Sequence, residues 1–221
     1  VCRQRFDANF SGSNSRFEGP LSATQHTERF LAEAARVAAE IDPEQVDRVV
    51  KILREIRETG GRVFFLGVGG GAGHASHAAA DFRKVAEIEC YSPSDNVSEL
   101  TARINDDGWE TAYANWLRGS HLSSKDAIFV FSVGGGSLEK KISVNLVASL
   151  RLAKEVGAKI VGIVGRDGGY ASQVGDEVIV IPAVSADTTT AHTEAFQSVL
   201  WHCMVTHPAL KANEMKWESE K

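Results

Sequence analysis

Five short runs rich in β-branched and aromatic residues constrain this chain more than any other feature: RVFFLGV (62–68), AEIECYS (86–92), DAIFVFSV (126–133), KIVGIVG (159–165) and EVIVIPA (177–183). Several are apolar at every position rather than at alternate ones, which marks strands covered on both faces. Helical segments separate most of them, and strand–helix–strand alternation closes into a parallel sheet sandwiched between helices. The expected fold is a doubly wound α/β domain with a five-stranded parallel sheet. Ahead of it, FLAEAARVAAEI and VDRVVKILREI carry apolar residues at three- and four-residue spacing, and IDPEQ breaks them into a helical pair. Asp42 before Pro43 reads as a helix start, because proline's missing N–H is no loss in a first turn.

Residues 1–20, polar and rich in glycine and serine, read as an arm; 21–210 as one domain that includes the helical pair; 211–221 as a tail. AHTEAFQSVLWHCMVTHP reads as a last helix stopped by Pro208. A length of 221 residues suits one such domain. The net charge of −5 gives no reason to expect a nucleic-acid partner. No apolar run approaches the roughly 18 residues of a membrane span, and nothing reads as a signal peptide. Cys2, Cys90 and Cys203 are odd in number and far apart, so reduced thiols and a cytoplasmic setting are expected.

Twice a strand ends in a glycine cluster. GVGGGAG (67–73) can be read as a dinucleotide fingerprint through Gly67, Gly69 and Ala72, with Glu87 or Glu89 as the ribose acid. It can also be read as a bare turn, or as part of a sugar-phosphate cradle. The second cluster, FSVGGGS (131–137), favours the cradle. Its serines flank a turn expected to open a helix near Ser137, where N–H groups and hydroxyls bind an anion without a lysine. A dinucleotide fold has no use for a second such loop on the third strand.

A strand with G-x-G-G-x-A, a following helical His and acid, and a later strand ending in S-x-x-G-x-S resemble the sugar isomerase (SIS) domain. More narrowly they resemble the bacterial sedoheptulose-7-phosphate (phosphoheptose) isomerases. The likeness runs from about Leu21 to Leu210 and takes in INDDGW (104–109) and GRDGG (165–169). It implies a flavodoxin-like SIS fold and substrate contacts at Val68, Gly69 and Gly70, where the family's N-G-G-S loop has lost its Asn amide and Ser hydroxyl. It also implies contacts at Asn105 and Asp106, and at Ser132, Val133, Gly134 and Ser137 on the phosphate loop. About six extra residues near LEKKIS interrupt that loop, and Lys140 or Lys141 can supply a point charge there.

The resemblance further implies a metal or acid–base centre on two helices. His77 and Asp81 stand four residues apart on one, and Glu194, in place of the family's Gln, and His202 stand eight apart on the other. These four are the expected ligands of one divalent ion per chain, zinc above all. Asp81, Glu194 and His202 are the expected catalytic residues, with Glu194 also contacting substrate. His74 can approach the same centre; His192, ahead of the last helix, reads as a capping or substrate-facing residue, and His207 as structural or exposed. The implied activity is aldose–ketose isomerisation of a phosphorylated sugar, most naturally sedoheptulose 7-phosphate, by a homotetramer whose sites draw on neighbouring chains. The alternative is a non-catalytic SIS-domain protein that binds sugar phosphates or serves assembly and regulation.

Overall fold

The computed structural model describes residues 22–220, so the proposed arm lies outside the described residues. Two helices lead, α1 (Ala23–Glu40) and α2 (Pro43–Glu58). Ser22 and Gln25 form a reciprocal capping box on the first. Asp42 caps the second as expected, its side chain accepting the Glu44 N–H at 2.9 Å with Pro43 in the first turn.

The strands are β1 (Arg62–Gly67), β2 (Glu89–Tyr91), β3 (Ala127–Ser132), β4 (Lys159–Val164) and β5 (Glu177–Val180), all parallel in the order β2-β1-β3-β4-β5. This is the flavodoxin-like order, and its switch point lies between β1 and β3, where successive connections leave in opposite directions and open a crevice. The expected strand over 86–92 shortens to three residues. The end of α3 (Gly70–Val85) closes with the Ile88 N–H donating back to the Phe82 carbonyl, and Glu87 adopts a left-handed φ of 53°. That turn uses residues the β-rich run had offered to the sheet.

Alternation along the strands feeds two cores. Val63, Phe65, Phe129, Phe131, Val161 and Ile163 pack against α2, α3 and α8 (Thr189–Val205). Phe64, Leu66, Ile128, Val130 and Ile160 pack against α5 (Trp109–Gly119), α6 (Val144–Val156) and α7 (Gly169–Val174). α4 (Val97–Asp107) buries no residue fully and packs Leu100 and Ile104 against the second core. After the last long helix the chain is stitched to the end of α3: the Ala212 and Asn213 N–H groups both donate to the Val85 carbonyl. The short α9 (Lys216–Ser219) follows.

The expected helix opening near Ser137 is corrected. Ser137 and Ile142 exchange backbone hydrogen bonds of 2.9 and 3.0 Å, so the extra residues fold into a small hairpin, and α6 starts only at Val144. Ser143, with φ 49°, takes the cap position instead.

Candidate active site

A cleft of about 730 Å³ opens at the carboxyl edge of the sheet. Its walls come from Val68 and Gly71 after β1, Ser132–Gly134 and the hairpin after β3, Arg166–Tyr170 after β4, and Thr190, Glu194 and Gln197 on α8. The first glycine loop is tight by necessity. A Cβ on Gly67 would meet the Gly71 carbonyl at 2.1 Å, and one on Gly71 would meet the Phe131 carbonyl at 2.6 Å. The buried Tyr113 hydroxyl donates to the Gly67 carbonyl at 2.9 Å and fixes the turn from below. Gly70 makes room for a side chain instead of a turn. The Glu194 carboxylate lies against its Cα, where a Cβ would meet both oxygens within 2.8 Å. The absent side chain is what lets this acid settle over the first turn of α3.

The second loop spends much of its hydrogen-bonding capacity on itself. The Gly135 N–H donates to Ser132 Oγ (3.0 Å), the Ser137 N–H to the Ile142 carbonyl, and the Lys140 N–H to Ser137 Oγ (3.2 Å). Its glycines interlock with the β4–α7 turn. The Tyr170 and Ala171 N–H groups donate to the Gly136 and Gly135 carbonyls, and a Cβ on Gly135 would meet the Gly168 carbonyl at 1.9 Å. No side chain fits between the two loops. Ser132, Val133, Gly134 and Ser137 do line the cleft as expected, and Ser143, which sequence reasoning passed over, lines it too.

The charged groups fall into two places. On the outer face where α3 and α8 run side by side, His77 Nε2 stands 3.6 Å from Asp81 Oδ2, and His202 Nε2 stands 3.9 Å from the same oxygen. One donor atom from each of the three lies within 4.8 Å of the other two. His202 is oriented by its own helix: Nδ1–H donates to the Ser198 carbonyl at 2.7 Å, which fixes the tautomer and leaves Nε2 bare toward Asp81. Trp201 packs edge-on against His77, with ring centroids 4.7 Å apart.

Glu194 is not in that cluster. Eight residues along a helix is about 12 Å of rise, and side chains lean toward the helix N-terminus, so Glu194 reaches away from His202 toward Gly70. A shared face is not a shared centre. Conversely, none of His77, Asp81 and His202 lines the cleft of its own chain, whereas Glu194 does. His74, one turn beyond Gly70, lies electrically between the two places. Burial pushes its imidazole below the ordinary histidine value, helped by the nearby His77 and His202, while Glu194 pulls the other way.

Other expectations need correcting. Asn105 and Asp106 sit exposed at the end of α4, bonded to each other at 2.8 Å, and do not line the cleft; α4 carries them away from it. Glu87 precedes β2 and Glu89 is its first residue, so both lie at the amino edge of the sheet, opposite the crevice. The dinucleotide reading therefore lacks its ribose acid. His192 neither caps α8 nor faces the cleft. It is 2 % exposed, its Nε2 3.0 Å from Glu33 Oε2, with Phe30 stacked on the ring at 4.3 Å. Burial raises the Glu33 pKa, but hydrogen bonds from Thr188 and His192 and the charge of Arg29 outweigh it and hold the carboxyl below its ordinary value. His207 pairs with Asp47 at 3.5 Å; Cys90 is buried and Cys203 exposed, both as free thiols.

Zinc fits the triad on the chemistry of its donors. Two imidazole nitrogens and a carboxylate oxygen make a mixed N/O set, and Nε2 of His202 is already bare. A tetrahedral ion with bonds of about 2 Å spaces its ligands roughly 3.3 Å apart, so small side-chain adjustments close the set and leave a fourth position open.

No family model matches the chain. Against curated proteins it is 31% identical over 193 residues to the lincomycin biosynthesis protein LmbN of Streptomyces lincolnensis, covering 85% of this chain and 69% of that one. It is 28% identical over 190 residues to the phosphoheptose isomerase of Helicobacter pylori strain P12, covering 82% and 95%. Among solved structures, phosphoheptose isomerase GmhA from Neisseria gonorrhoeae superposes with a TM-score of 0.72 at 22% identity, over 83% of this chain and 98% of that one.

Proposed function

This chain belongs to the phosphoheptose isomerase family of SIS-domain proteins, and from that premise we propose that it interconverts the ketose and aldose forms of a phosphorylated sugar. Sedoheptulose 7-phosphate, giving a heptose 7-phosphate, is the substrate that the relatives' name favours. The observation that carries the reading is the placing of Glu194: a carboxylate seated in a glycine notch at the switch-point crevice, over a cleft large enough for a heptose phosphate.

The reaction moves one proton between C1 and C2. A base takes the C1 proton of the ketose, the C1–H electrons form the C1=C2 bond of an enediol(ate), and the carbonyl oxygen on C2 gains a proton. Return of a proton to C2 and loss of one from the C1 hydroxyl leaves the aldehyde. Glu194 lines the cleft and takes the carbon proton; Asp81 is turned away from it toward the histidines. His202 handles protons on oxygen through Nε2 only while that nitrogen is not a metal ligand, since its Nδ1–H is held by the Ser198 carbonyl. His77, Asp81 and His202 would hold a divalent ion, zinc being suited to the set, and such an ion supplies Lewis-acid stabilisation of the developing oxyanion. Because the triad lies on an outer face, with His77 61% exposed, a homo-oligomer that sets one chain's triad against a neighbour's cleft completes the site. A tetramer is the proposed form. Among the described residues no helix is long and apolar enough to cross a membrane, and a cytoplasmic setting is proposed with it.

The test is a panel of five-, six- and seven-carbon ketose phosphates. The seven-carbon substrate should give the highest kcat/KM. Turnover of none of them would leave the alternative of a non-catalytic sugar-phosphate binder.

A further inference from the structure

The second glycine loop, Ser132 to Ser137, carries no cationic side chain to balance a phosphate dianion. Of its amides, Gly135 and Ser137 are spent within the loop; Ser132 and Ser137 accept main-chain N–H groups and keep their hydroxyl protons as neutral donors. Buried or bound anions need compensating donors, and backbone groups already paired supply none. Two features beside the loop supply what it lacks. The hairpin lays Lys140 along the cleft wall while Lys141 stays off it. Across the interlocked loops, Arg166 lines the same cleft from the turn after β4, tied next to the glycine loop by the Gly165 N–H donating to the Val133 carbonyl at 3.1 Å.

Both cations are exposed, and among the described residues neither forms an ion pair. Glu139 and Asp167 line the same cleft, but neither pairs with Lys140 or Arg166, and Asp167 accepts from the Gly169 N–H. Arg166 also holds a left-handed φ of 54°.

We propose that Lys140 and Arg166 form the phosphate subsite of this cleft, clamping a dianionic phosphate between the hairpin and the β4–α7 turn, with Ser137 and Ser143 as hydroxyl partners. This rests on the sugar-phosphate reading and specifies it: the ligand's phosphate is held by charge. Arginine offers a planar two-pronged donor and lysine a point charge, a pair that suits a tetrahedral dianion.

The experiment measures inorganic phosphate binding by calorimetry, at low and at physiological ionic strength, alongside isomerase kinetics. The proteins are the full chain and its Lys140→Gln, Arg166→Asn and Lys141→Gln variants. Asparagine tolerates the left-handed backbone at 166, and all three sites are exposed, so thermal midpoints should be unchanged. The first two variants should each weaken phosphate binding about tenfold or more and raise KM alike with kcat nearly constant. Lys141→Gln should match wild type, and the wild-type affinity should fall with salt. Equal phosphate affinity in all four proteins, or no phosphate binding by wild type, overturns the subsite even if isomerisation is robust. Loss of phosphate binding in the two variants of a wild type that isomerises nothing upholds the subsite and overturns the isomerase reading instead.

Discussion

Glu194, the proposed base, lines the cleft against Gly70, and its chemistry can be separated from its packing. Glu194→Gln keeps the size and the fit against Gly70 but removes the base. It should lower kcat by about 10²–10⁴-fold, the usual contribution of a general base, while any divalent-metal content found by elemental analysis stays at the wild-type level, since the carboxylate lies apart from the histidine–aspartate cluster. His202→Ala should do the reverse to the metal and strip it. Equal metal loss in both variants would mean that Glu194 joins the ion after all. At this scale the sequence was readable where spacing alone decides proximity. His77 and Asp81, four apart on one helix, meet as expected, and His202 joins them. It was unreadable where a rise of two helical turns separates residues on one face, as with Glu194, and where chain folding chooses among neighbours, as with Ser143 over Ser137 or Arg166, which no spacing rule singles out.

Among the elements, β1 and β3 carry the site, and one buried ion pair ties their amino ends together. The Arg62 guanidinium and N–H, with the Ser123 N–H and hydroxyl, surround Asp126, which is 2% exposed. Burial alone would raise the Asp126 pKa; these donors outweigh it and hold the carboxyl below its ordinary 3.8. A depressed folded-state pKa contributes stability that is fully present above the unfolded value and disappears as pH falls through the folded one. Asp126→Asn should therefore cost about 3 kcal/mol near neutral pH, and urea denaturation should show that difference shrinking as the pH drops below about 4. A gap that stays constant down to pH 2 would assign the loss to packing instead. The five strands and the helical pair were legible because a fully apolar run and a three-to-four spacing each admit one structure. The shortening of β2 was not, since a β-rich run does not reveal that the preceding helix will close on Ile88. Nor did the extra residues after Ser137 reveal that they pair with one another rather than extend a helix.

For the whole molecule, the parallel order β2-β1-β3-β4-β5 puts both glycine loops, the hairpin and the start of α8 around one crevice, and every role assigned above depends on that convergence. α1 contributes from outside the sheet. Its Glu33 grips Thr188 and His192 at the beginning of α8, two residues before Glu194, so the helical pair anchors the segment that carries the proposed base as well as covering the core. The central claim, that these groups move a proton between adjacent carbons of a sugar phosphate, is tested most directly in D₂O. Sedoheptulose 7-phosphate is incubated with the protein and followed by proton NMR. The account predicts conversion to the aldose with solvent deuterium entering at C2, exchange at C1 of the recovered ketose, and neither process with Glu194→Gln. A folded, phosphate-binding wild type that leaves both carbon-bound protons in place would contradict it.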